Sequence, residues 1–180
     1  MFEGLKLKKQ KRVMKRLIAK KRVRTMHNFD SIKKVGIIFN VTTEERWNLI
    51  NNIAKVLEKY GKKVFMLGVI DKKDTKLNFI ITNPKVTLIR KKGDLNCWGI
   101  PKKSKLKPFF KRKYNTLINI SNVEDFVTSY LSVKTLADVK IALDTAENQK
   151  IYDVLIKMNP DSSEEDFMKQ VIHYLTLINK

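Results

Sequence analysis

The segment from Lys33 to Ile70 constrains this chain more than any other. Val35, Ile37, Ile38 and Phe39 form a short β-branched and aromatic run, and Thr42-x-x-Glu45 spells a helix capping box. Trp47, Ile50, Ile53, Ala54 and Leu57 then recur on one helical face until Gly61, and residues 63–70 make a second apolar run. Parallel strands cannot be joined by a tight turn, so strand, helix and strand within about 40 residues is the spacing of a right-handed βαβ crossover.

The same grammar returns further on. Residues 77–82 and 86–89 read as strands, whereas 92–108 is turn-rich and reads as a long surface loop. A strand over 116–120 precedes Asn122 as helix N-cap, with Val123, Phe126, Val127, Tyr130 and Leu131 behind it, and a strand follows over 139–143. Tyr152, Val154, Ile156 and Met158 alternate like a strand. After Pro160 a last helix starts near Ser162, with Phe167, Val171, Tyr174 and Ile178 on its buried face. The expected fold is therefore α/β: a doubly wound, mostly parallel Rossmann-like sheet of five or six strands in one domain over 31–180. A basic helix and linker over 1–30 precede it, and 180 residues suit one core.

Charge is the feature that points to a partner. Thirty-eight Lys and Arg face 18 Asp and Glu, a formal net charge of +20. Residues 1–30 hold eleven of the cations against Glu3 and Asp30, and 83–113 hold another eleven against Asp94 alone, which leaves the remainder nearly neutral. Crowding like charges adds self-repulsion without a gain in folding, so localised charge suggests contact with a polyanion. Over 5–24, Val13, Met14, Leu17 and Ile18 make a narrow apolar stripe on a basic amphipathic helix. Its candidate phosphate contacts are Lys8, Lys9, Lys11, Arg12, Lys15 and Arg16, then Lys20, Lys21, Arg22 and Arg24. The second basic element, the loop over 92–113 with Lys91 before it, offers Lys91, Lys92, Lys102, Lys103 and Lys105, then Lys107, Lys111, Arg112 and Lys113. Rings are interleaved with these cations, as suits base stacking beside phosphate pairing. Phe110 and Tyr114 lead into the core before the next strand, so Trp98, in a turn, is the ring expected to be exposed for stacking.

Enzyme chemistry has less support. Neither G-x-G-x-x-G nor G-x-x-x-x-G-K-[ST] occurs, and Glu44 and Glu45 oppose an anion at the first helix start. A crevice beyond the strand ends would contain Asn40, Asp71, Ser121 and Asp144, with Thr42 and Thr43 able to offer hydroxyls to a phosphate. Capping and turn formation are the simpler roles for these residues. His27 and His173 sit in no readable triad, and with the single Cys97 they are too few for a zinc site, so neither metal nor cofactor is expected. One cysteine permits no internal disulfide, and no disulfide-linked partner is expected. No run of about 18 apolar residues and no secretory segment occurs, which places the expected location in the cytoplasm.

A run of features resembles one family: residues 35–40, Gly61-Lys62-Lys63-Val64 leading to Gly68-Val69-Ile70-Asp71-Lys72-Lys73, the turn 96–101 followed by Lys102, residues 117–121, Tyr152-Asp153-Val154-Leu155-Ile156, and the ending 170–179. In that order and spacing they look like uncharacterised Bacteroidetes proteins carrying a domain of unknown function that begins with a short basic helix. The resemblance spans nearly the whole chain and implies a compact Rossmann-like domain in a bacterial cytoplasm, without an activity. Where relatives tend to show Asn-Trp-aromatic-Gly-x-Pro, this chain has Asn96-Cys97-Trp98-Gly99-Ile100-Pro101. The function expected is non-enzymatic binding of structured RNA, ribosomal RNA foremost, through the two basic elements. Two alternatives stay open: a peripheral protein lying on an anionic membrane surface through Phe2, Leu5, Leu17 and Ile18, and a Rossmann-type small-molecule or nucleotide enzyme.

Overall fold

A computed structural model describes residues 2–71, 84–121, 125–159 and 161–178. The strand expected over 77–82, the Asn122 cap with Val123, and Pro160 lie outside the described residues. Six strands, β1 (Lys34–Val41), β2 (Lys63–Ile70), β3 (Val86–Arg90), β4 (Lys113–Asn119), β5 (Leu136–Leu143) and β6 (Val154–Ile156), form one sheet in the order β3-β2-β1-β4-β5-β6. Every neighbouring pair is parallel. This is the doubly wound Rossmann-like order, with its topological switch point between β1 and β4.

Both faces of a parallel sheet are covered, so its strands are apolar on both sides. Val35, Ile37, Phe39 and Val41 of β1 face one core, shared with Trp47, Ile50 and Leu57 of α2 (Glu44–Lys59) and Phe167, Val171 and Leu175 of α6 (Glu164–Leu177). Ile38, Leu67, Val69 and Leu117 face a second core with Leu106 and Phe109 of α4 (Lys103–Phe110) and Val127, Tyr130 and Leu131 of α5 (Phe126–Lys134). A Cβ at Gly36 would meet Leu117 Cδ1 at 3.0 Å, and one at Gly68 would meet Val41 Cγ2 at 2.9 Å, so glycine is what lets these layers close.

Several elements differ from their sequence reading. The basic helix α1 runs Phe2–Ile18, and the chain after it turns at 19–20 and carries no regular secondary structure over 21–28, so Lys20, Lys21, Arg22 and Arg24 are not helical. The supposed loop over 92–108 contains a distorted single turn, α3 (Lys91–Asp94), where Gly93 takes φ 108°, and the true helix α4. Leu106 and Phe109, spaced i, i+3 and both buried, anchor α4 despite Pro108 within it. The α2 cap is Thr43, whose hydroxyl accepts from Arg46 N at 3.2 Å, one residue later than the Thr42 box implied. Asp125 caps α5 through Val127 N and Thr128 N, and Ser163 rather than Ser162 caps α6. Tyr174, expected inside, is 49% exposed, and Leu175 takes the buried position.

Candidate nucleic-acid interface

The interface begins with how α1 is held. No residue of α1 is fully buried, but Val13, Met14 and Leu17 pack onto the second core beside α5. At its other end Gln10 Nε2 donates to Trp98 O at 2.9 Å, the Phe2 ring stacks on Trp98 at 6.0 Å with 21° between planes, and Lys9 Nζ lies 6.0 Å from the indole centroid. The Trp98 turn is rigid because Asn96 Oδ1 accepts from Trp98 N and Ile100 N, both at 3.0 Å, while Gly99 takes φ 75°. Trp98 is therefore a half-buried clamp for α1 rather than the exposed stacking ring expected from its turn. Two of the side chains assigned to membrane insertion, Phe2 and Leu17, are likewise engaged against the protein itself.

This clamp brings the two basic elements together. Helices α1, α4 and α5 all cover the same side of the sheet. Lys8, Lys11, Arg12, Lys15 and Arg16 of α1 and Lys103, Lys105 and Lys107 of α4 are exposed, and no ion pair holds them among the described residues. Lys92 and Lys111 are exposed beside them. The opposite layer differs in sign: α2 has as many acidic as basic residues, and α6 carries Glu164, Glu165 and Asp166 against Lys169.

Other cations singled out in the sequence are engaged by the protein's own groups, several of them at the surface. After α1 the chain crosses the amino ends of β5 and β6, where Arg22 donates to Ala137 O and Asp138 O at 3.0 Å each and pairs with Asp153. Arg24 Nε reaches the other Asp153 oxygen at 3.0 Å. Lys113 Nζ and His27 Nε2 meet Asp138 at 2.7 and 2.9 Å. Burial works against the Asp138 carboxylate, but the hydrogen bonds from Lys113 and His27 outweigh it and hold its pKa below the usual range. Lys91 bridges Asp71 at 2.5 Å and Asp125 at 2.9 Å; burial opposes its charge, yet the two carboxylates raise its pKa. Lys102 Nζ donates to Gly93 O at 2.8 Å, and the Arg112 guanidinium lies 4.3 Å over the Phe65 ring. Phe109 and Tyr114 are core residues, with Tyr114 Oη donating to Phe109 O at 2.9 Å.

Sequence reasoning missed Lys140, although a lysine inside the apolar strand segment 139–143 is a readable signal. It is 2% exposed, its Nζ donates to Ser132 O at 2.6 Å and Val133 O at 3.1 Å at the carboxyl end of α5, and burial with Arg22 nearby lowers its pKa to about 8. Lys150, exposed in the short 3-10 turn Asn148–Lys150, was also missed, and no pattern in the sequence marks it.

The switch-point crevice is occupied by the chain's own side chains. Arg46 donates from Nε to Asn40 O at 2.8 Å and from Nη2 to Ile120 O at 2.9 Å, and pairs with Glu164. Ser121 Oγ donates to Asn40 Oδ1 at 2.8 Å, and a buried chain runs from Asn119 Nδ2 through Tyr152 Oη to Ser132 Oγ, each link 2.7 Å. Thr43 is used as a cap, Asp71 pairs with Lys91, and Asp144 is exposed with Gln149 Nε2 at 3.4 Å. The six crevice candidates are thus not gathered around one space. Among the described residues, no three His, Cys, Asp or Glu side chains stand close enough together to hold a metal ion, and no helix is long and apolar enough to cross a membrane.

Compared with known proteins, residues 6–178 match the model of a family described as a family of unknown function, DUF6913. No curated protein matches. No solved structure matches either.

Proposed function

The chain belongs to the DUF6913 family of unknown function, and from that premise we propose that it is a non-enzymatic RNA-binding protein, with ribosomal RNA in a bacterial cytoplasm as its partner. One observation carries the reading: elements some 80 residues apart, α1 and the 95–101 turn leading into α4, are clamped together through Gln10 and Trp98 on one side of the sheet, and α1 and α4 both turn unpaired cations outward. A stretch of duplex or folded RNA presents many phosphates, and cations fixed on one rigid layer neutralise several of them without each paying a separate ordering cost.

The test is a salt titration of the full chain with a structured RNA. Neutralising about six to ten phosphates makes affinity fall by roughly 10³ to 10⁵ between 50 and 200 mM salt. Converting Lys103, Lys105 and Lys107 to Ala lowers the log–log slope by about two to three. A flat salt response overturns the proposal. Sedimentation of the protein with ribosomal particles, and its release from them in high salt, tests the choice of RNA; flotation with anionic vesicles would instead favour the membrane alternative.

A further inference from the structure

Beyond the flat basic layer there is a concave one. A pocket of about 460 Å³ lies between the last turn of α1, the carboxyl end of α5, β5 and the 150–151 segment. Its polar wall consists of Lys20, Lys21, Arg22, Arg24, Lys140 and Lys150, and among the described residues no carboxylate lines it. Asp153, which pairs with two of these cations, has a side chain only 7% exposed, and the guanidiniums of Arg22 and Arg24 share its one charge. Lys140 reaches in from the strand and offsets the carbonyl dipoles of Ser132 and Val133, which would otherwise repel an anion at the end of α5. Lys20, Lys21 and Lys150 at the rim are exposed and make no ion pair among the described residues. The remaining wall is apolar, with Leu17, Val133 and Ile151.

We propose that this pocket binds a nucleoside 5′-monophosphate group, either as the 5′-terminal nucleotide of an RNA or free. The volume decides the size of the ligand: it falls within the range of nucleotide-sized sites and far exceeds what a lone phosphate fills. The wall decides its chemistry, because three unpaired lysines, Lys20, Lys21 and Lys150, backed by the engaged cations Arg22, Arg24 and Lys140, match a phosphomonoester dianion better than the single charge of a diester, and the apolar side accepts a base or ribose. Arg22, spent on Asp153 and on two β5 carbonyls, is the fixed cation of the wall, while Lys20, Lys21 and Lys150 close over the phosphate.

This deepens the RNA reading and rests on it for the larger ligand. The experiment compares, by fluorescence anisotropy with the full chain, one short RNA with a 5′-phosphate or a 5′-hydroxyl, and titrates a free nucleoside 5′-monophosphate as competitor. The phosphorylated RNA binds at least tenfold tighter, and Lys21→Ala with Lys150→Ala, both at exposed positions, abolishes that preference while the salt slope set by α4 persists. Equal affinity for the two RNAs, each bound in a salt-dependent way, overturns this inference and leaves the RNA reading standing. Binding of the free monophosphate that is lost in the Lys150→Ala variant, with no RNA bound, keeps the pocket and overturns the RNA reading. Binding of neither overturns both.

Discussion

Lys140→Met removes a buried cation whose cost the structure defines. The ammonium is 2% exposed and loses its hydration; two carbonyl oxygens and the Asp153 carboxylate return part of it, and the balance lowers its pKa from 10.5 to about 8. In the unfolded chain the lysine still holds its proton between those values, so the unfolded state binds more protons and stability rises with pH through that window. Integrating the linkage from pH 7.5 to pH 10 gives a gain of about 2 kcal/mol from this residue alone. Lys62, 6% exposed and pushed down by burial, adds a gain of the same sign. Tyr114 and Tyr152, both raised by burial and Tyr152 to about 12, act in the opposite direction once pH exceeds 10 and the unfolded tyrosines ionise. The window below pH 10 therefore belongs to the lysines. The assay is urea unfolding of wild type and Lys140→Met at half-unit steps. At pH 7.5 the two effects of the substitution oppose each other, since removing the desolvated charge stabilises while leaving Ser132 O and Val133 O without their donor costs about 1–3 kcal/mol. The slope is free of that ambiguity, and the variant should lose most of the rise. A wild-type protein whose stability is flat over this range, or a variant that keeps the full rise, would refute the claim that this ammonium is desolvated.

Three shorter tests probe the packing around the interface. Gly68→Ala forces a methyl against Val41 and Leu88 side-chain carbons at 2.9 and 3.0 Å, and Gly36→Ala meets Leu117, Phe109 and Tyr114 at 3.0 to 3.2 Å. Each should cost about 1–3 kcal/mol in chemical denaturation, and an unchanged midpoint for both would contradict the closeness of these layers. Trp98→Ala removes the ring under Phe2 and Lys9, which should cost about 1–2 kcal/mol and speed proteolysis within residues 2–12 while leaving the sheet intact; equal cleavage rates would mean that α1 is held elsewhere. Truncation through residue 25 looks harmless in the sequence, where 1–30 reads as an appendage, but it strips Val13, Met14 and Leu17 from the second core and removes Arg22 and Arg24 from Asp153. It should lower the melting temperature by several degrees in calorimetry, more than truncation through residue 18.

The sheet was the most legible part of this protein. Parallel strands covered on both faces are written as continuous β-branched runs, and the helices between them show one apolar face, so local pattern and final fold agree for β1, α2, β2, β4 and β5. The α4 region was not legible, because Pro108 and five nearby lysines mask an anchor of only two residues, Leu106 and Phe109. The candidate interface divides along the same physical line. Net charge and its two clusters are sums over the chain and can be counted without coordinates. Whether a given cation faces solvent or a carboxylate depends on contacts between residues far apart in sequence, such as Arg22 with Asp153 and Lys113 with Asp138. No local periodicity encodes those distances. The charge pattern thus settled that the chain is strongly cationic in two places, while tertiary packing alone decided which of those cations are free, clamped α1 onto the Trp98 turn, and set the ammonium of Lys140, a lysine whose apolar strand already marks it as unusual, against the end of α5.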